Sequence, residues 1–197
     1  MKREYHPLSA HRLENGARYH QPGQDPERVR IDSPALAVMT DLRQIPAATI
    51  DLEAPLDAAS RFMIRRGVRL LLVTDDDRQV LGLITSNEVS GEKAVQFALE
   101  RGIKRQEIRV RDLMTPREQL EVLLYADLIH AEVGHVVATL KHAGRQHALV
   151  TDLGGEGKVQ AVRGIFSASQ IARQLGMSIQ TTEVAHTFAE IGAALGR

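Results

Sequence analysis

The chain has 197 residues, 43% of them hydrophobic and 25% charged, which is enough apolar material for a core and too much for a disordered chain. Its 25 Lys+Arg balance 25 Asp+Glu, which removes the basic surplus that general nucleic-acid binding needs. It has no cysteine, which excludes disulfides, Cys-based zinc sites, iron–sulfur clusters and thiol nucleophiles.

Residues 1–33 carry His6, His11, His20, Pro7, Pro22, Pro26 and several arginines with little apolar periodicity, and are expected to form a largely irregular arm. Met1–Asn15 lacks the apolar stretch of a secretory signal. The longest apolar runs, Ala35–Met39 and Val122–Ala126, hold five residues against the ~20 that cross a bilayer, so a cytoplasmic protein without membrane contact is expected.

A first unit is expected over residues 34–105. Val38-Met39-Thr40 opens it, and a β-rich stretch follows at Gln44–Ile50. Leu56, Ala59, Phe62 and Met63 recur at helical spacing, which predicts a helix over Leu56–Arg66 that stops at Gly67. Leu70–Thr74 and Val80–Thr85 read as strands joined by the polar turn Asp76-Asp77-Arg78-Gln79, and another helix starts near Ser86. Gly91–Arg101 reads as a linker helix with Ala94, Val95, Ala98 and Leu99 on one face. A second unit, residues 106–176, repeats this order. It has Leu113-Met114-Thr115, a β-rich stretch Val122–Leu128, a helix Ala131–Ala143 ending at Gly144, strands Ala148–Thr151 and Val159–Ser167, and a helix from Ala168. Within residues 177–197, Ser178–Leu195 has the pattern of an amphipathic helix, which folds back on its own core or meets a second subunit.

The two units are copies. Leu-Val-Thr-Asp occurs at Leu72–Asp75 and again at Leu149–Asp152, 77 residues later, and Gly67 and Gly144 keep the same offset. The opening segments are 75 apart, and the closing segments Gly82-Leu83-Ile84-Thr85 and Gly164-Ile165-Phe166-Ser167 are 82 apart. The longer turn at Leu153–Lys158 accounts for the drift. Each copy is β-α-β-β-α, an α/β (α+β) unit of about 60 residues, too small for much core of its own, so the two are expected to pack together.

Other motifs carry no chemistry. Gly154-Gly155-Glu156-Gly157-Lys158 lacks both the first glycine and the final Ser/Thr of a phosphate loop, and a hairpin turn explains it. Asp75-Asp76-Asp77 reads as a polar turn. His135 and His142 are seven residues, about 10 Å, apart along one helix, too far for one metal ion. No metal site and no catalytic constellation is expected.

The order and duplication of these segments resemble a tandem cystathionine β-synthase (CBS) domain pair. The first copy shows Val38-Met39-Thr40, Gly67-Val68, Leu71-Leu72-Val73-Thr74-Asp75 and Gly82-Leu83-Ile84-Thr85-Ser86-Asn87-Glu88. The second shows Leu113-Met114-Thr115, Gly144, Ala148-Leu149-Val150-Thr151-Asp152 and Gly164-Ile165-Phe166-Ser167-Ala168-Ser169-Gln170. The resemblance covers residues 36–175. It implies two units around a pseudo-twofold axis with two clefts between them, and a homodimer. It also implies a regulatory rather than enzymatic role, in which an adenosine-containing ligand (AMP, ADP, ATP or S-adenosylmethionine) signals to a partner. With no attached catalytic or transport domain in this chain, a stand-alone module is expected. The alternative is a ligand-free scaffold acting through its dimer surface, its arm or its terminal helix.

The resemblance also places site residues. In the first cleft Thr85 supplies a hydroxyl and Glu88 the acceptor for a ribose diol. In the second, Ser167 and Gln170 take these places, and Gln170 lacks the charge of the family's Asp. Ile45, Pro46 and Ala47 stand where members line an adenine slot; Val122, Leu123 and Leu124 are the bulkier equivalents. A phosphate calls for cations. Arg61 and Arg65 share a helix face with Arg66 adjacent, a pattern that reads as a solvated surface, whereas Arg69 enters a strand beside the cleft and is the better candidate.

Overall fold

The structure, a computed structural model, describes residues 29–154 and 159–177. The arm up to residue 28, the turn 155–158 and the terminal helix expected at Ser178–Leu195 lie outside the described residues.

Among the described residues eight strands form two sheets. β1 is Thr40–Asp41, β2 Thr49–Asp51, β3 Leu70–Thr74, β4 Val80–Thr85, β5 Thr115–Pro116, β6 Val122–Leu124, β7 His147–Gly154 and β8 Val159–Ser167. The helices are α1 Leu56–Arg66, α2 Ser86–Ser90, α3 Glu92–Arg101, α4 Val110–Leu113, α5 Tyr125–Leu128, α6 Val133–Ala143 and α7 Ala168–Gln174. One sheet has the order β2-β3-β4-β5 and the other β6-β7-β8-β1. In each, a parallel pair bridged by a helix is followed by an antiparallel hairpin and a short antiparallel edge strand. The expected α/β duplication is therefore present. Gly67 (φ 65°) and Gly144 (φ 61°) end α1 and α6 in the left-handed region, where only glycine escapes a Cβ penalty.

The edge strands are exchanged. β1, from the opening of the first copy, pairs with β8 of the second; β5, from the opening of the second copy, pairs with β4 of the first. The neighbouring segments follow. Ala35 and Val38 are buried against Val136, Leu140, Val150 and Phe166 of the second copy. Ile108, Val110 and Leu113 are buried against Leu56, Leu71 and Ile84 of the first. The last residues of the arm also dock here: the carbonyls of Ile31 and Ser33 accept from Gly134 and Val133 at the start of α6. The two spatial units thus interleave across the 105/106 boundary of the sequence.

Between the sheets Leu70, Leu72 and Leu149 form a third cluster with Leu83, Val122 and Ile165 packed around it. Each fully buried leucine contributes about 1.5–3 kcal/mol. Alternation along β3 explains its unbroken apolar run, since Leu71 and Val73 face the first core while Leu70 and Leu72 face the other copy. Charge fixes the exchanged β1. Arg163 on β8 bonds Asp41 at 2.8 Å, lies 3.6 Å from Asp152 and stacks 4.9 Å from the Tyr125 ring, while Arg43 reaches Asp152 at 2.9 Å. The Arg43 amide holds the Asp41 carboxyl below its usual range; burial opposes it, and the Arg163 guanidinium adds to the lowering.

Several segments differ from expectation. Of Gln44–Ile50 only Thr49 and Ile50 are strand, because the amides of Gln44 and Ile45 both turn back to the Asp41 carbonyl. Val122–Leu128 is strand only to Leu124; the helical turn α5 then buries Leu128 in the second core. α6 begins at Val133, two residues late, and β7 runs on to Gly154. α3 buries Ala94 and partly Phe97 and Ala98, leaving Val95 57% and Leu99 77% exposed, because its cover comes from α2 and the segment at 105–107.

Candidate functional site

Two adjoining cavities open where the copies meet, and Asn87 lines both. The smaller, about 420 Å³, has Thr85, Glu88 and Thr115 on one side and Glu121, Arg145 and His147 on the other. The larger, about 840 Å³, lies between α1, the Gly67–Arg69 turn and α2 of the first copy and Ser169 and Arg173 of the second.

Thr85 caps α2. Its Oγ1 accepts from the Asn87 amide at 3.3 Å, and the Glu88 carboxylate reaches back to the Thr85 amide at 2.9 Å. Thr85 Oγ1 also donates to Glu88 Oε2. Both Glu88 bonds end on Oε2; among the described residues no bond engages Oε1. The hydroxyl and carboxylate that the sequence pairs are thus together at a cavity wall, already holding each other.

The equivalent pair in the second copy is used differently. Ser167 Oγ lies 3.1 Å from Ser169 Oγ and makes no cap bond, and the Gln170 amide oxygen accepts from Thr40 Oγ1 at 3.3 Å. The exchanged β1 brings Thr40 there. Neither Ser167 nor Gln170 lines the two cavities; Ser169 does.

Arg69 lines the larger cavity and not the smaller one that holds Thr85 and Glu88. Its carbonyl accepts from the Ser86 amide at 2.9 Å, which fixes it beside α2. Its Nη1 is buried and has no hydrogen-bond partner among the described residues. Arg61, Arg65 and Arg66 are exposed, and Arg65 lies over the Phe62 ring at 5.4 Å. Ile45 is 54% exposed and Ala47 packs in the cluster between the sheets; neither lines either cavity. Val122 packs in that same cluster and borders a shallow crevice of about 70 Å³ with Leu123 and His147.

Sequence reasoning passed over His147, Asn87, Ser169 and Arg173. His147 had a signal. At the offset of 77 it matches Leu70, so one copy places an imidazole where the other has an interface leucine. Its packed surroundings push the imidazole down to about 4, helped by the nearby Arg69 cation and opposed by Glu88.

Residues 36–92 match the family model of the CBS domain. No curated protein sequence matches the chain. Among solved structures, an uncharacterised conserved protein from Pyrococcus horikoshii superposes with a TM-score of 0.54 at 21% identity, over 78% of this chain and 100% of that one. A CBS-domain containing protein from Agrobacterium tumefaciens gives 0.50 at 16% identity, over 68% and 88%. CBSX2, a CBS-pair protein from Arabidopsis thaliana solved in complex with AMP, gives 0.50 at 21% identity, over 72% and 94%. At these identities the likeness is one of fold.

Proposed function

The chain carries a CBS domain and folds as a CBS-domain pair, and on that premise we propose that it is a cytoplasmic regulatory module that binds an adenosine-containing ligand between its copies. The ligand is AMP, ADP, ATP or S-adenosylmethionine, and occupancy is read by a protein partner. The observation that carries this reading is Arg69, which lines a cavity whose walls come from both copies and keeps a buried Nη1 without an acceptor among the described residues. A buried guanidinium donor without an acceptor is costly, and a phosphate oxygen supplies one. The AMP held by CBSX2 supports the nucleotide class.

Thr85 and Glu88 contribute at the smaller cavity, Glu88 through Oε1 toward a ribose diol, and Asn87 links the two spaces. A ligand touching both copies favours the arrangement in which both walls engage it, by as much as its affinity for that arrangement exceeds its affinity for others. The role is one of binding, with no reaction assigned. Exposed Ile64, Val95 and Leu99 favour a homodimer, and they equally suit the alternative of a ligand-free scaffold.

Calorimetric titration tests the choice. At least one of the four ligands binds with a Kd below 1 mM, a bound of about −4 kcal/mol. Thr85→Ala combined with Glu88→Ala weakens binding, and Gln170→Ala leaves it unchanged. Absence of binding by all four, with a partner still captured by the double variant, establishes the scaffold instead.

A further inference from the structure

We infer that the larger cavity is an anion site that reads the phosphate of the ligand with one arginine from each copy, and that it excludes the cationic S-adenosylmethionine. This rests on the nucleotide reading above and narrows it to a chemical class. Arg69 stands at the entry to β3 in the first copy, and Arg173 stands on α7 in the second. Neither forms an ion pair among the described residues. Arg69 Nη1 is buried without an acceptor. Arg173 Nε donates to the Ser169 carbonyl at 3.3 Å, which holds the guanidinium along the cavity wall and leaves its two terminal nitrogens for a ligand.

The remaining wall fits the same class of occupant. The described residues lining the cavity include no carboxylate. Ser86, Ser90 and Asn87 add neutral donors, and Met63 and Val68 provide an apolar side suited to a base. Two cations without a counter-charge favour a phosphate and repel a sulfonium. The smaller cavity contrasts with this: Glu88 and Glu121 line it, with Arg145 paired to Glu121 at 3.1 Å. Because the arginines belong to different copies, the phosphate is the group that ties the two together.

The test titrates the full chain with AMP, ADP, ATP, adenosine, S-adenosylmethionine and inorganic tripolyphosphate. Phosphorylated nucleosides bind about tenfold or more tighter than adenosine, the margin of one charge-assisted hydrogen bond, and S-adenosylmethionine does not bind. Arg69→Gln and Arg173→Gln each cut that margin while adenosine binding is unchanged. Arg173 is exposed, so its variant keeps the fold should Arg69→Gln fail to. Arg61→Gln, on the solvated face, changes nothing. Equal affinity for adenosine, binding of S-adenosylmethionine, or a margin that survives both variants overturns the anion site and leaves the nucleoside reading standing. Binding of tripolyphosphate without any nucleoside upholds the anion site and overturns the nucleoside reading. Binding of nothing overturns both.

Discussion

Gly82→Ala lowers stability by about 2–3 kcal/mol, whereas Gly164→Ala costs about 1 kcal/mol or less. Both glycines hold the same place in the duplicated closing segment, and an exchanged edge strand crosses each of them. Gly82 pairs with Pro116 of β5, and Gly164 pairs with Asp41 of β1. The atoms they face differ. A Cβ at Gly82 collides with the Thr115 carbonyl oxygen and comes within 3.2 Å of Pro116 Cα, all of it backbone. A Cβ at Gly164 meets only side-chain atoms of Met39, Sδ at 2.5 Å and Cγ at 2.7 Å, and an unbranched thioether gives way at lower cost than a backbone carbonyl. Urea denaturation of the two variants measures the difference. The larger loss at Gly82 reflects displacement of β5, which would also move Thr115 at the smaller cavity. Equal losses would mean that β5 yields as readily as a methionine side chain, and that the exchange is not a fixed part of the fold.

Stability also falls as the pH drops from about 6.5 to about 4, by about 2 kcal/mol from one residue. The His147 imidazole is held neutral, its affinity for a proton reduced from the ordinary 6.5 to about 4 by burial first and by Arg69 second. Between those values the unfolded chain binds the proton and the folded one does not. The contribution is therefore fully present above about pH 6.5, is lost as the pH falls through that window, and levels off below about 4. His147 retains some exposure at the cavity, and solvent screening there keeps the loss below the full value of the shift. Urea midpoints across pH 4–8, compared between the parent and His147→Gln, isolate the effect. The variant has a flatter profile; identical profiles would show that the imidazole takes up its proton without cost in the folded state.

The parts of the fold that were legible in the sequence are those whose cause is local. α1, β3, β4 and β8 lie at the residues that periodicity, glycine stops and turn chemistry indicate, because each carries its own pattern. β1 and β5 are two residues long, and no pattern in two residues says which sheet they join. Gly82 and Gly164 are visible as repeated glycines, but the reason for them is a strand from the other copy. The same limit applies to the site. Thr85 and Glu88 are neighbours in sequence, and their pairing could be read from spacing. Gln170 accepts from Thr40, 130 residues away, a partner that no local pattern names. Arg69 lines a cavity whose other wall carries Arg173, and no spacing in the first copy points to that arginine on α7. Ile45 sits in the turn that Asp41 organises, and no periodic signal distinguishes that turn from a strand.

Amide hydrogen exchange with and without AMP tests the central claim, that one ligand is held by both copies at once. AMP binding slows exchange in residues 67–69 and 86–91 of the first copy, together with residues 169–173 of the second. Protection confined to one copy, or AMP binding that leaves all three segments unchanged, would contradict it.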